Sequence, residues 1–179
     1  MRYASIADIY SANAKIRERL IETLHAVMRN EVSTVPDGEK WSIQHIVEHV
    51  SIVDTGTLRI CERLLEKARS TGKFGDGTFT LSPETDEKFA AIRDIKVEAP
   101  ERVQPTGNVE ISESLGRLAA NGNVLNSMRS DLERYDLADH KFPHPFFGEL
   151  TATEWLVVKV RHEMRHTNQI ERLLEKARK

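Results

Sequence analysis

LTATEWLVVKVRHEMRHTNQIERLLEKAR, residues 150–178, reads as one long helix with a defined start. Thr151 and Glu154 have the spacing of a capping box, in which each side chain satisfies a backbone N–H near the other, and Leu150 and Trp155 stand at the two staple positions. Within this helix His162 and His166 are four apart with Glu163 between them, so the segment also spells H-E-x-x-H, the zinc signature of many metalloproteases. A helix turns by roughly 100° per residue, which puts both imidazoles on one face, within reach of one ion.

The residues after His166 argue against a protease. Proteases of this type take a third ligand downstream, and the extended motif continues x-x-G-x-x-H. Those two positions are Gln169 and Arg172 here, and only 13 residues remain beyond His166, too few to turn round and return a carboxylate. No strand-bearing lobe is legible either. A third ligand must come from upstream, where His25, His45, His49, His140 and His144 are the donors. His49 stands out because it sits among Ile46, Val50, Ile52 and Val53, where an unpaired imidazole is costly to bury. His45, one turn earlier, is the alternative ligand or an orienting neighbour. His25 reads as a helix-surface or interhelix residue, while His140 and His144 belong to a loop at a site mouth.

Three more helices precede this one. Ile6, Ile9, Ile16, Leu20, Leu24 and Val27 recur at helical spacing and predict a helix over 5–30. Pro36, Asp37 and Gly38 break the chain. Ser42 restarts it as an N-cap, with Trp41 and Ile46 as a staple, and the second helix continues to about residue 70. Residues 71–107 hold four glycines and three prolines, an irregular stretch apart from a short helix near 83–92, and such length implies a crossover or a site lining. A third helix spans roughly 109–135, weakened at Gly122. Residues 136–150 read as a second irregular stretch, and no strand of convincing alternation is found. ERLLEKAR occurs at both 62–69 and 171–178, a coincidence that common helix formers explain. The class is all-α, four long helices in one domain over 1–179.

Composition bounds the function. The chain has 39% hydrophobic and 30% charged residues and a mean hydropathy of −0.47, as expected of a soluble chain. Its 26 basic and 28 acidic side chains leave a net charge of −2, so no field draws nucleic acid. Cys61 is the only cysteine, which excludes an internal disulfide and a cysteine zinc cluster and suits a reducing compartment. Without a signal peptide or a membrane-length apolar run, the cytoplasm is expected.

WSIQHIVEH, residues 41–49, APERVQPTG, residues 99–107, and HPFFGELTATEWLVVKVRHEMRHTNQI, residues 144–170, together resemble the DinB-like superfamily, which includes YfiT-type metal-dependent hydrolases. The likeness covers nearly the whole chain. It implies a four-helix bundle in up-down-down-up order, with a long crossover between the second and third helices. It also implies a three-histidine metal site of His49, His162 and His166, holding zinc or nickel, and a homodimer.

Three neutral imidazoles leave a coordination position open, as in catalytic zinc. Relatives implied by the resemblance include transferases and isomerases that use low-molecular-weight thiols, which favours a thiol-dependent transferase acting on a small-molecule substrate. A metal-dependent hydrolase is the alternative; it wants a base beside the bound water, and the local carboxylates Glu48 and Glu163 each point about 100° around the helix from a ligand. A non-catalytic metal- or ligand-binding stress-response module is the third reading. Cys61 lies about 18 Å along the helix from His49, so core packing is its expected task. Phe146, Phe147 and Trp155 are candidates for a pocket wall.

Overall fold

Ser42 caps the longest helix of the computed structural model, which describes residues 3–25, 27, 32–92 and 98–177. Its hydroxyl accepts the His45 backbone N–H at 3.3 Å, one of the N–H groups that every helix start leaves without an internal partner. The elements in order are α1 (Ile6–His25), α2 (Ile43–Thr71), α3 (Pro83–Ile92), a 3₁₀ turn (Glu101–Val103), α4 (Ile111–Arg134), β1 (Lys141–His144), β2 (Gly148–Thr151) and α5 (Ala152–Ala177). α2 ends at Gly72, whose φ of 67° is a left-handed cap that glycine adopts without Cβ strain. The first helix, expected to run to residue 30, ends at His25, with Val27 outside it; residues 26 and 28–30 of that expectation, like the last residue of the second ERLLEKAR copy, lie outside the described residues.

Interhelical bonds give the directions. Asn13, Arg17 and Arg19 of α1 meet Lys159, Glu163 and Asn168 of α5 in the same order, so these helices are parallel. Thr55 with Asn121 and Arg69 with Asp131 make α2 and α4 parallel as well. By contrast, His49, Asp54 and Cys61 of α2 meet His162, Lys159 and Ala152 of α5 in descending order. The result is the up-down-down-up bundle. Two parallel helices in succession force residues 72–110 to travel back along the bundle, which is why the crossover is long.

The core is layered. One apolar cluster gathers Ile6, Ile9, Leu58, Cys61, Leu132, Leu150 and Leu156, and a second gathers Leu20, Ile43, Ile46, Val47, Leu118 and Ile170. Between them Asn13, Arg17, Asp54, Asn121, Lys159 and Glu163 form a hydrogen-bonded ionic layer that joins all four long helices. Two cations and two anions balance there, so no buried charge stands alone.

The capping box at the head of α5 forms as expected. Thr151 N–H donates to Glu154 Oε2 at 3.0 Å and Glu154 N–H to Thr151 Oγ1 at 3.3 Å, while the staple residues Leu150 and Trp155 share one cluster. The stretch before it departs from expectation. Residues 141–151 hold an antiparallel hairpin, β1 with β2, in which Phe142 pairs with Leu150. Each strand has four residues and only Leu150 is buried, so no alternation of apolar and polar residues develops for a sequence reading to catch. Trp155 Nε1–H donates to Phe142 O at 3.2 Å and ties the hairpin to α5. Among the described residues no helix is long and apolar enough to cross a membrane.

Candidate metal centre

His49 on α2 and His162 and His166 on α5 converge where the two antiparallel helices pack, and one ring nitrogen from each lies within 4.8 Å of the others. His49 Nε2 and His162 Nε2 are 3.0 Å apart, and the ring centroids stand 4.5–4.9 Å from one another. The four-residue spacing of His162 and His166 aligns two rings on one helix face, and the antiparallel packing of α2 supplies the third. Trp41, just ahead of the α2 cap, covers His49 at 4.8 Å between centroids. His45 is not part of the cluster. Its Nδ1 lies 2.7 Å from Ser42 Oγ, at the helix cap.

Two of the rings have their far nitrogen engaged. His49 Nδ1 is 2.7 Å from Val103 O, and a carbonyl only accepts, so Nδ1 carries the proton and Nε2 presents its lone pair to the cluster. His166 Nδ1 donates to Gln169 Oε1 at 2.9 Å. Partners of this kind fix ring orientation and tautomer at metal sites. Neither was identified from sequence. Gln169 was legible as a neighbour at i+3, but Val103 belongs to the crossover and reaches His49 only through the fold.

Burial keeps the cluster neutral. His49 is held below the usual histidine range by desolvation, against the opposing pull of its bond to Val103. Desolvation, then the neighbouring His166 and His49, put His162 well below that range, and desolvation drives His166 down to about 3. Neutral imidazoles are the form that binds metal, so the donor set, its proximity and its protonation all fit a divalent ion.

Neither local carboxylate faces this work. Glu163, 1% exposed, accepts from Arg17 Nε at 2.6 Å and Nη2 at 2.9 Å. Glu48, also 1% exposed, accepts Thr106 N–H at 3.0 Å, Thr106 Oγ1–H at 2.9 Å and Gly107 N–H at 2.8 Å. Burial alone would raise the Glu48 carboxyl, but those donors hold it below its ordinary value.

The remaining candidates are dispersed. His25 is exposed at the end of α1, and His140 precedes β1. His144, at the hairpin turn, stacks on Phe147 at 4.5 Å and packs against Trp155 at 4.8 Å. Desolvation and then Arg102 lower its pKa to about 4. Phe146 is exposed, whereas Trp155 is buried in the core. Cys61 is fully buried with Sγ 3.5 Å from Ala152 O, as packing requires. A surface cavity of about 710 Å³ lies elsewhere, between residues 74–80 and 135–138, and includes no histidine of the cluster. Its acids serve local structure: Asp76 caps Thr78, Asp136 caps Ala138 and Glu154 closes the capping box.

Comparison with known proteins agrees with the geometry. The family model described as the DinB superfamily matches residues 12–170. The protein YuaE of Bacillus subtilis (strain 168) is 25% identical over 154 residues, 86% of this chain and 89% of that one. The crystal structure of TT2238, a four-helix bundle protein, has a TM-score of 0.58 and 20% identity, covering 92% of this chain and 97% of the other, a likeness of fold.

Proposed function

The chain belongs to the DinB superfamily, and we propose that His49, His162 and His166 hold one divalent ion, zinc or nickel, at the centre of a transferase that uses a low-molecular-weight thiol. The observation that carries this reading is the convergence of three neutral imidazoles, His49 and His166 buried and His162 half-buried, two of them with the outer nitrogen already engaged. Held by these three residues, such an ion would supply Lewis-acid chemistry, which would lower the pKa of a small thiol. His49 and His166 serve as oriented donors, fixed by Val103 and Gln169. Hydrolysis is helped by a base beside the ion, and Glu48 and Glu163 are the local carboxylates. Both local carboxylates are engaged, Glu163 by Arg17 and Glu48 by the crossover, which favours thiol chemistry over the hydrolase reading. We also place the protein in the cytoplasm, as a homodimer.

The test is elemental analysis of the purified protein followed by thiol titration of the cobalt-substituted form. A sulfur-to-metal charge-transfer band is expected to grow with thiol and to be absent in His162→Ala. A spectrum indifferent to glutathione, bacillithiol, mycothiol and simple thiols removes the transferase assignment and leaves the hydrolase or a binding module.

A further inference from the structure

The last part of the crossover, residues 100–107, lies across the first two turns of α2 as a strap. Four α2 side chains meet it. Gln44 Nε2–H donates to Gly107 O at 2.9 Å, and Glu48 takes the three bonds from Thr106 and Gly107. His49 Nδ1–H donates to Val103 O. His45 closes against Gly107 so tightly that a Cβ there would lie 2.4 Å from its Nε2, at a φ of 75° that already favours glycine. The strap has little else to hold it, since its only regular structure is the 3₁₀ turn Glu101–Val103, with no buried residue. A buried carboxylate with both oxygens engaged is therefore its main anchor on α2.

We propose that Glu48 is a positioning residue for the histidine cluster: it fixes the strap, and the strap's Val103 carbonyl fixes His49 in the Nδ1–H tautomer with Nε2 toward His162 and His166. The chain of contacts is Glu48 to Thr106 and Gly107, along the backbone to Val103, and back to the residue next to Glu48. A one-residue step on α2 thus separates the group that holds the strap from the ring that the strap holds. This inference rests on the reading of the three histidines as a metal site, but its first test does not need metal.

That test is the imidazole ¹⁵N spectrum of the full chain in chelator. Wild type is expected to show His49 with a protonated, slowly exchanging Nδ1. Glu48→Ala is expected to speed exchange of that proton at least about tenfold and to mix the tautomers, with helical circular dichroism retained. Glu48→Gln, which keeps an acceptor for Thr106 but sets an amide N–H₂ against Gly107 N–H, is expected to fall between. Thr106→Val, which removes one bond and leaves the carboxylate, serves if Glu48→Ala does not fold, and its His49 exchange is expected to rise by a smaller factor.

The second readout is zinc affinity by chelator competition, expected to weaken about 10- to 100-fold in Glu48→Ala, the usual range for loss of an orienting partner. A folded variant with wild-type His49 exchange overturns the proposal, as does unchanged zinc affinity in a variant whose Nδ1 proton has become labile. Absence of zinc binding by the wild type would instead overturn the metal reading, and the nitrogen spectra would still decide the role of Glu48.

Discussion

Arg17 and Glu163 meet as a two-pronged ion pair in the bundle core, Nε to Oε1 at 2.6 Å and Nη2 to Oε2 at 2.9 Å, one residue along α5 from His162. The glutamate of the H-E-x-x-H stretch is thereby a structural anion. Arg17 also reaches Asp54 at 3.2 Å and Leu118 O at 2.8 Å, so one guanidinium links α1 to the other three long helices. Removing Arg17 leaves the two anions Asp54 and Glu163 to Lys159 alone, and Arg17→Met is expected to cost about 3 kcal/mol in urea unfolding. Glu163→Gln is expected to lower stability while leaving bound metal unchanged. Robust metal-dependent peptide cleavage by the wild type, abolished in Glu163→Gln, would contradict this assignment.

Metal content should separate the seven histidines. His49→Ala, His162→Ala and His166→Ala are each expected to lower zinc occupancy of the purified protein severalfold or more, since each removes one of the three imidazoles of the proposed site. His45→Ala, at the α2 cap, and His144→Ala, in the aromatic hairpin, are expected to retain it. Full occupancy after loss of His49 would move the third ligand elsewhere.

Acid should destabilise the chelated protein before the carboxylates titrate. All three histidines have lowered folded-state values, His166 to about 3, whereas in the unfolded chain they titrate near about 6.5. Between those limits the unfolded state binds more protons, so stability is full above about pH 6.5 and falls as the pH drops. His166, with its folded-state value of about 3, contributes up to about 1.4 kcal/mol per pH unit in that window, and His49 and His162 act in the same direction. Urea midpoints measured in chelator at pH 7.5 and 5 are expected to show the loss, and His166→Gln to lessen it.

Cys61 should be inert in the folded chain. It is fully buried, and desolvation pushes its thiol well above the ordinary range, so little thiolate is present at neutral pH. Titration with a disulfide reagent is expected to show no fast-reacting thiol until denaturant is added. Rapid stoichiometric reaction of the native protein would refute this placement.

Much of the fold was legible in the sequence because it rests on local chemistry. The cap at Ser42, the Thr151–Glu154 box and the 3.6-residue apolar period of the long helices involve neighbours a few residues apart; both caps form where expected, and the helices follow the period except at the end of α1, which stops at His25 short of Val27. Two of the three clustered histidines were local in the same sense, since i and i+4 on a helix share a face whatever surrounds them.

The rest depended on packing across the chain. Which upstream histidine joins His162 and His166 is set by the depth at which α2 passes α5, a register that the separate helices do not encode. The hairpin at 141–151 has strands too short to carry a period and is held by the indole of Trp155. Glu48 and Glu163 look alike as acids beside ligands, and only the folded chain separates them, one bound to backbone N–H groups of the crossover and the other to Arg17. Local propensity sets where helices begin and end, whereas the partners of a buried polar group are chosen by whatever the fold brings within about 3 Å.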